Sequence, residues 1–306
     1  MLLWVYAVLP LVLVFVLVDH FVFAGTAMRV LPHFPEKLFW YMLIFNLPHI
    51  IASFFGFADK EYLAYYRSKL FFGLPIIFLL AFVLPWLNLS LTIIFIIGYT
   101  FYHNVSQQTG IATILMRHRG PAVTAWRATN IILAVTIYGL VYPSALNPAL
   151  YNYATQFIFI LLAVSLILTF VITRKSKTKE GTIYALGTTG IACVGMIALM
   201  LGYPIITITI LRFVHDLTAF IFYITHDMNR NRELKHNLLY RFVLPTTRLY
   251  VVGIPLLAVV LTYLIQGKGS ATIIQIFFIL AVTHYYIEGF MWKNGTPHRR
   301  EIAFSL

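Results

Sequence analysis

Arg212 to Asp227 reads RFVHDLTAFIFYITHD. It closes a long apolar segment that opens near Tyr203, and it places an arginine, two histidines and two aspartates inside or at the edge of that segment. Ionisable groups in a membrane helix are costly and mark functional positions by default. The flanking sequence makes this segment a membrane helix. The 306 residues are 60% hydrophobic and 10% charged, and their mean hydropathy is +0.85. A soluble domain carries about 25% charged residues. The composition predicts a polytopic, all-α transmembrane bundle, one domain over residues 1–306, since no polar stretch is long enough for a separate soluble domain.

A span needs roughly 20 apolar residues. Ten segments meet that length, at 2–23, 38–57, 70–87, 89–108, 128–147, 154–173, 183–202, 203–226, 248–266 and 271–292. Two pairs are divided only by turns, at Asn88 and at Gly202-Tyr203-Pro204. The N-terminal segment lacks a basic region ahead of its apolar run, so it reads as a first span rather than a cleaved signal. The single cysteine, Cys193, excludes an intramolecular disulfide.

The net charge of +12 would suit a nucleic-acid partner if the basic residues formed one patch. They do not. With ten spans and the N-terminus inside, the inner segments hold Lys60, Arg67 and Lys69; Arg117, Arg119 and Arg127; Arg174, Lys175, Lys177 and Lys179; Arg230, Arg232, Lys235, Arg241 and Arg248; and Lys293, Arg299 and Arg300. The outer segments hold only Arg29, Lys37 and Lys268. That bias predicts both termini on the cytoplasmic side of a plasma (inner) membrane. It also assigns most of the charge to topology and anionic lipid, with no nucleic-acid partner.

Under this topology the even-numbered spans all run inward. His49, His103, His215 and His284 then lie about 11, 14, 12 and 13 residues into spans two, four, eight and ten, close to one level at 1.5 Å per residue. A single intramembrane histidine is most often a hydrogen-bonded packing residue. Four at one depth are not demanded by helix propensity or hydrophobicity, and histidine is the commonest metal ligand. The expectation is a shared metal site of His49, His103, His215 and His284. Glu288, four residues after His284 on the same helix face, and Asp216, beside His215, are its candidate catalytic or ligating carboxylates. Gln107 and Arg212 stand near by, Arg212 with the alternative of a simple ion pair to Asp216. Pro48 is expected to kink span two. His226 lies eleven residues, roughly 16 Å, beyond His215 and cannot share its metal. With Asp227, Asn229 and Arg230 it belongs to an inner rim, expected to include His118, His236 and His298, with Arg230 and Arg232 turned to headgroups or a soluble partner. His20 and His33 fall outside the cluster.

The stretches FNLPHIIAS (45–53), YHNVSQQTG (102–110), FVHDLTAFIFYITHD (213–227) and THYYIEGFMWK (283–293) place single histidines on separate helices. In architecture and histidine usage the chain resembles the Brp/Blh family of membrane-bound carotenoid-cleaving dioxygenases, with Pro48-His49 as a local echo. The resemblance implies a non-haem iron held by transmembrane histidines, dioxygen as co-substrate and a carotenoid-like substrate. The clustered HxxxH and HxxHH boxes of membrane desaturases and hydroxylases are absent from the sequence. The leading expectation is an iron-dependent oxygenase or desaturase acting on a lipid or isoprenoid that enters from the bilayer. Alternatives are another divalent metal, a b-type haem protein with paired axial histidines, and an ion- or proton-coupled transporter, against which stands the lack of an internal repeat.

Overall fold

The computed structural model describes residues 2–32, 38–141, 148–233, 236–243, 246, 249–266 and 270–302. His33, Lys37, Lys235, Arg248 and Lys268, which entered the expectations above, lie outside them. The described residues are helical, with no strand and one isolated bridge between Asp59 and Asn237. Among the described residues ten long helices follow one another: α1 (Leu2–Phe21), α2 (Phe39–Ala58), α3 (Arg67–Leu87), α4 (Leu89–Leu115), α5 (Pro121–Val141), α6 (Pro148–Arg174), α7 (Lys179–Met200), α8 (Pro204–Arg230), α9 (Tyr250–Gln266) and α10 (Ser270–Met291). Seven of them, α1, α2, α3, α5, α6, α7 and α8, are long and apolar enough to cross a membrane.

The chain divides into two compact units, one of residues 1–38 and 97–215, the other of 39–96 and 216–306. In the first, α5 packs on α6 and α7, and α7 on α1. Its polar side chains answer one another, as buried polar groups away from water must. Gln108 accepts from Tyr6 (2.9 Å) and Tyr184 (2.7 Å). The Trp126 indole donates to Thr169 (2.9 Å) and Thr189 (3.1 Å). Gly202, at φ +89°, makes the turn between α7 and α8, a conformation that favours glycine. Beyond it Tyr203 donates to Asp19 at 2.6 Å.

In the second unit α2 packs against α9 and α10, and α10 against α3. The ring of Tyr286 lies directly on Gly73, where a Cβ would come within 2.0 Å of the hydroxyl. That hydroxyl donates to the Lys69 carbonyl at 3.0 Å. Helix α2 is not uniform. Pro48 has no N–H for the carbonyl four residues back, and its ring crowds it. The helix widens to a π-turn over Met42–Asn46 and regains α-geometry from Leu47. Such turns accommodate one extra residue and recur at functional sites.

At the end of α2, Asp59 caps the short helix Lys60–Tyr65 by accepting from the Glu61 N–H at 2.8 Å. Arg230 ties the same carboxylate to the end of α8 at 2.9 Å and also pairs with Glu61. This corrects the expectation that Arg230 turns to headgroups or a soluble partner: the buried Asp59 carboxylate and the exposed Glu61 hold its planar guanidinium.

Candidate metal centre

The second unit brings together four of the six expected site residues. His49 and His284 are 3% and 0% exposed, and Asp216 and Glu288 are 1% and 6% exposed. The two imidazoles meet edge to face, with ring centroids 5.0 Å apart and planes at 81°, and one ring nitrogen of each lies within 4.8 Å of the other.

Each ring is held from its Nδ1 side. His49 Nδ1 is 3.1 Å from Asp216 Oδ1 and 3.2 Å from the Phe45 carbonyl, just behind the Pro48 turn. Both neighbours only accept, so Nδ1 carries a proton, and the neutral ring has its lone pair on Nε2. His284 Nδ1 is 3.0 Å from Ser53 Oγ. The Ser53 hydroxyl spends its own proton on the Ile50 carbonyl at 2.6 Å, so it accepts from His284 Nδ1–H, and His284 also has its lone pair on Nε2. Both rings thus adopt the tautomer that metal-ligating histidines take when an acceptor orients them.

The carboxylates are held as firmly. Asp216 Oδ2 accepts from Tyr41 at 3.0 Å. Glu288 Oε1 accepts from the Tyr223 hydroxyl and from the Trp292 indole at 3.1 Å. Its other oxygen, Oε2, stands 4.0 Å from His284 Nε2, too far for a hydrogen bond and close enough for two atoms at one small cation.

The first unit holds the other two expected residues as a second pair. His103 and His215 also meet edge to face, at 5.0 Å and 80°, and are 8% and 1% exposed. Arg212 lies over the ring of Phe101, 5.9 Å from its centroid. Gln108, not Gln107, makes the buried bonds to tyrosines on that stretch of α4. His20 packs on Phe21 and Tyr203.

Of the residues expected at the rim, His226, Asp227 and His298 form a buried cluster in the second unit, while Asn229 is exposed and His118 belongs to the first unit. His226 Nδ1 is 2.7 Å from Asp227, and its Nε2 is 3.0 Å from the Tyr62 hydroxyl. Tyr240 donates to the other Asp227 oxygen. His298 stacks on His226 at 4.7 Å and 10°, and its Nδ1 lies 3.2 Å from the Tyr66 hydroxyl. Burial, reinforced by His226 and Arg230, holds the His298 imidazole neutral, at about 2. Burial also pushes the Tyr62 and Tyr240 phenols up, and Tyr66 to about 12. His236 stands outside this knot, 3.5 Å from Glu61. The sequence singled out none of these tyrosines, because 19 tyrosines along an apolar chain give no one of them a signal. Trp292 touches both clusters: it donates to Glu288 and meets His226 and His298 edge-on at 5.9 and 5.8 Å.

Buried histidines and a carboxylate that could hold a metal ion are therefore present. Searches against protein-family models, curated proteins and solved structures returned no match to this chain, so its chemistry is argued from its own residues.

Proposed function

We propose that the protein is a membrane-embedded, metal-dependent oxidoreductase, an oxygenase or desaturase that uses non-haem iron and dioxygen on a lipid or isoprenoid substrate. The proposal includes ten spans, both termini cytoplasmic and a plasma (inner) membrane location, as the basic residues suggest. One observation carries it. His284 meets the His49 imidazole edge to face and its Nε2 stands 4.0 Å from Glu288 Oε2, all three buried, with the Nδ1 of both histidines turned to acceptors. Two histidines and one carboxylate with open positions suit Fe(II) and its oxygen chemistry. The Brp/Blh resemblance points the same way.

In this reading His49 and His284 ligate through Nε2, and Glu288 through Oε2. Asp216 and Ser53 are positioning residues that fix the ligand tautomers. Tyr223 and Trp292 hold Glu288 Oε1, so that Oε2 stays turned toward His284. Iron, when bound, supplies the binding and activation of dioxygen. Burial of the whole set excludes water from it. His103 and His215 enter the proposal as a second buried, edge-to-face pair, both among the histidines that could hold a metal ion.

Metal analysis of the purified protein tests the proposal. Iron near one atom per chain, no Soret band, and loss of the iron in His49→Ala, His284→Ala and Glu288→Gln are expected. A Soret band would replace this reading with the haem one. Iron retained in all three variants would end it. Iron retained in His103→Ala and His215→Ala alone confines the centre to the second unit.

A further inference from the structure

The second unit carries an apolar groove of about 330 Å³, a volume in the range of ligand pockets. Helix α3 forms one wall with Leu70, Leu74 and Phe78; Phe54 of α2 and Thr283 and Ile287 of α10 form the other. Those last three residues are chain neighbours of Ser53, His284 and Glu288, so the groove and the candidate metal centre are built on the same turns of α2 and α10.

Two features distinguish the groove from an ordinary lipid-facing surface. One end is basic. Leu70 follows Lys69, and Arg67 opens α3; both cations are exposed. Lys69 Nζ sits 5.0 Å above the Phe290 ring on α10. The other feature is Thr283. Its side chain is 5% exposed, and its hydroxyl is buried with no hydrogen-bond partner. A buried polar atom left unbonded costs about 1–3 kcal/mol, and a ligand pocket commonly sets a few polar groups in an apolar lining to fix orientation.

We propose that this groove binds a long-chain carboxylate, a fatty acid, with its head at Lys69 and Arg67 and its chain along Leu70, Leu74 and Phe78. The eight-residue step from Leu70 to Phe78 covers about 12 Å of helix. An oxygen function part-way along the chain gains the Thr283 hydroxyl as a partner. As a substrate assignment this rests on the oxidoreductase reading; as a binding site it stands on the groove alone.

Photo-crosslinking tests it, on the purified full chain in lipid nanodiscs, with a diazirine-bearing palmitate as probe. Labelling is expected on the α3 and α10 peptides. It should saturate and be displaced by unlabelled palmitate, but not by methyl palmitate. Paired Lys69→Ala and Arg67→Ala changes should lower the displaceable labelling at least tenfold. Leu74→Trp fills the groove and should remove it. Hydroxystearate should compete better than stearate, and Thr283→Val, close in shape, should erase that preference. Labelling spread evenly over exposed faces such as Ile160 and Ile167 of α6 and resistant to palmitate would reveal only bilayer lipid and overturn the proposal. So would displacement by the ester as strong as by the acid. The same experiment on metal-free protein separates the two readings: displaceable labelling there sustains the fatty-acid site even if the iron assignment fails.

Discussion

Two histidine pairs in the second unit are equally buried and differ in what they can do. His49 and His284 meet edge to face; His226 and His298 stack within 10° of parallel. The lone pair of an imidazole nitrogen lies in the ring plane. Planes at 81° cross, so two lone pairs can meet at one point. Planes stacked at 10° do not cross near the rings, and an ion between them would face the ring surfaces. The partners differ in the same sense. His226 spends both nitrogens on Asp227 and Tyr62, whereas the contacts of His49 and His284 with Asp216 and Ser53 all fall on Nδ1. A buried histidine is thus a ligand or a knot according to its neighbours' donors and acceptors, and residue type and burial alone do not distinguish them.

The largest expected contrast is in bound iron. His284→Ala should abolish it, while His226→Ala and His298→Ala should retain it. His226→Ala should instead destabilise the fold, by about 1–3 kcal/mol, because Asp227 and Tyr62 lose a buried partner. Iron lost as fully in His226→Ala as in His284→Ala would erase the distinction between the pairs. A smaller effect sharpens it. Asp216→Asn removes the charged acceptor of His49 without touching a proposed ligand. Metal affinity should fall about 10- to 100-fold, the usual cost of losing such an orienting partner. Unchanged affinity would leave Asp216 a packing residue.

The smallest effect lies in pH dependence. His298 is held neutral by burial among Tyr62, Tyr66, His226 and Arg230. A histidine whose value is lowered in the folded state takes up its proton mainly on unfolding. Its contribution to stability is complete above its ordinary value near 6.5 and is lost as pH falls below it, with a slope of at most about 1.4 kcal/mol per pH unit. Thermal unfolding from pH 7 to pH 5 should show that slope, and His298→Phe should flatten it. A slope unaltered by the substitution would assign it to other groups.

The helical class was legible because apolar runs broken by charge and turn residues need no tertiary knowledge. Segments expected at 89–108, 203–226 and 271–292 correspond to α4, α8 and α10; α4 runs on to Leu115, and α8 continues past its apolar stretch through Asp227, Asn229 and Arg230. Glu288 beside His284 was equally legible, since residues four apart share a helix face. The partner of Asp216 was not. Asp216 meets His49, 167 positions earlier in the chain. The His226–His298 stack joins residues 72 positions apart, and the tyrosines that complete it come from separate elements. Local pattern cannot report such distances.

The π-turn in α2 has a consequence for insertions and deletions. Tyr41 precedes it and His49 follows it, yet both reach the same carboxylate, Asp216. A π-turn absorbs its extra residue, so deleting one residue within 42–46 would restore an unbroken α-helix with Tyr41 and His49 still on the Asp216 side. Inserting one more residue there would instead turn Tyr41 about 100° away from Asp216. This stretch should therefore tolerate the loss of one residue better than the gain of one.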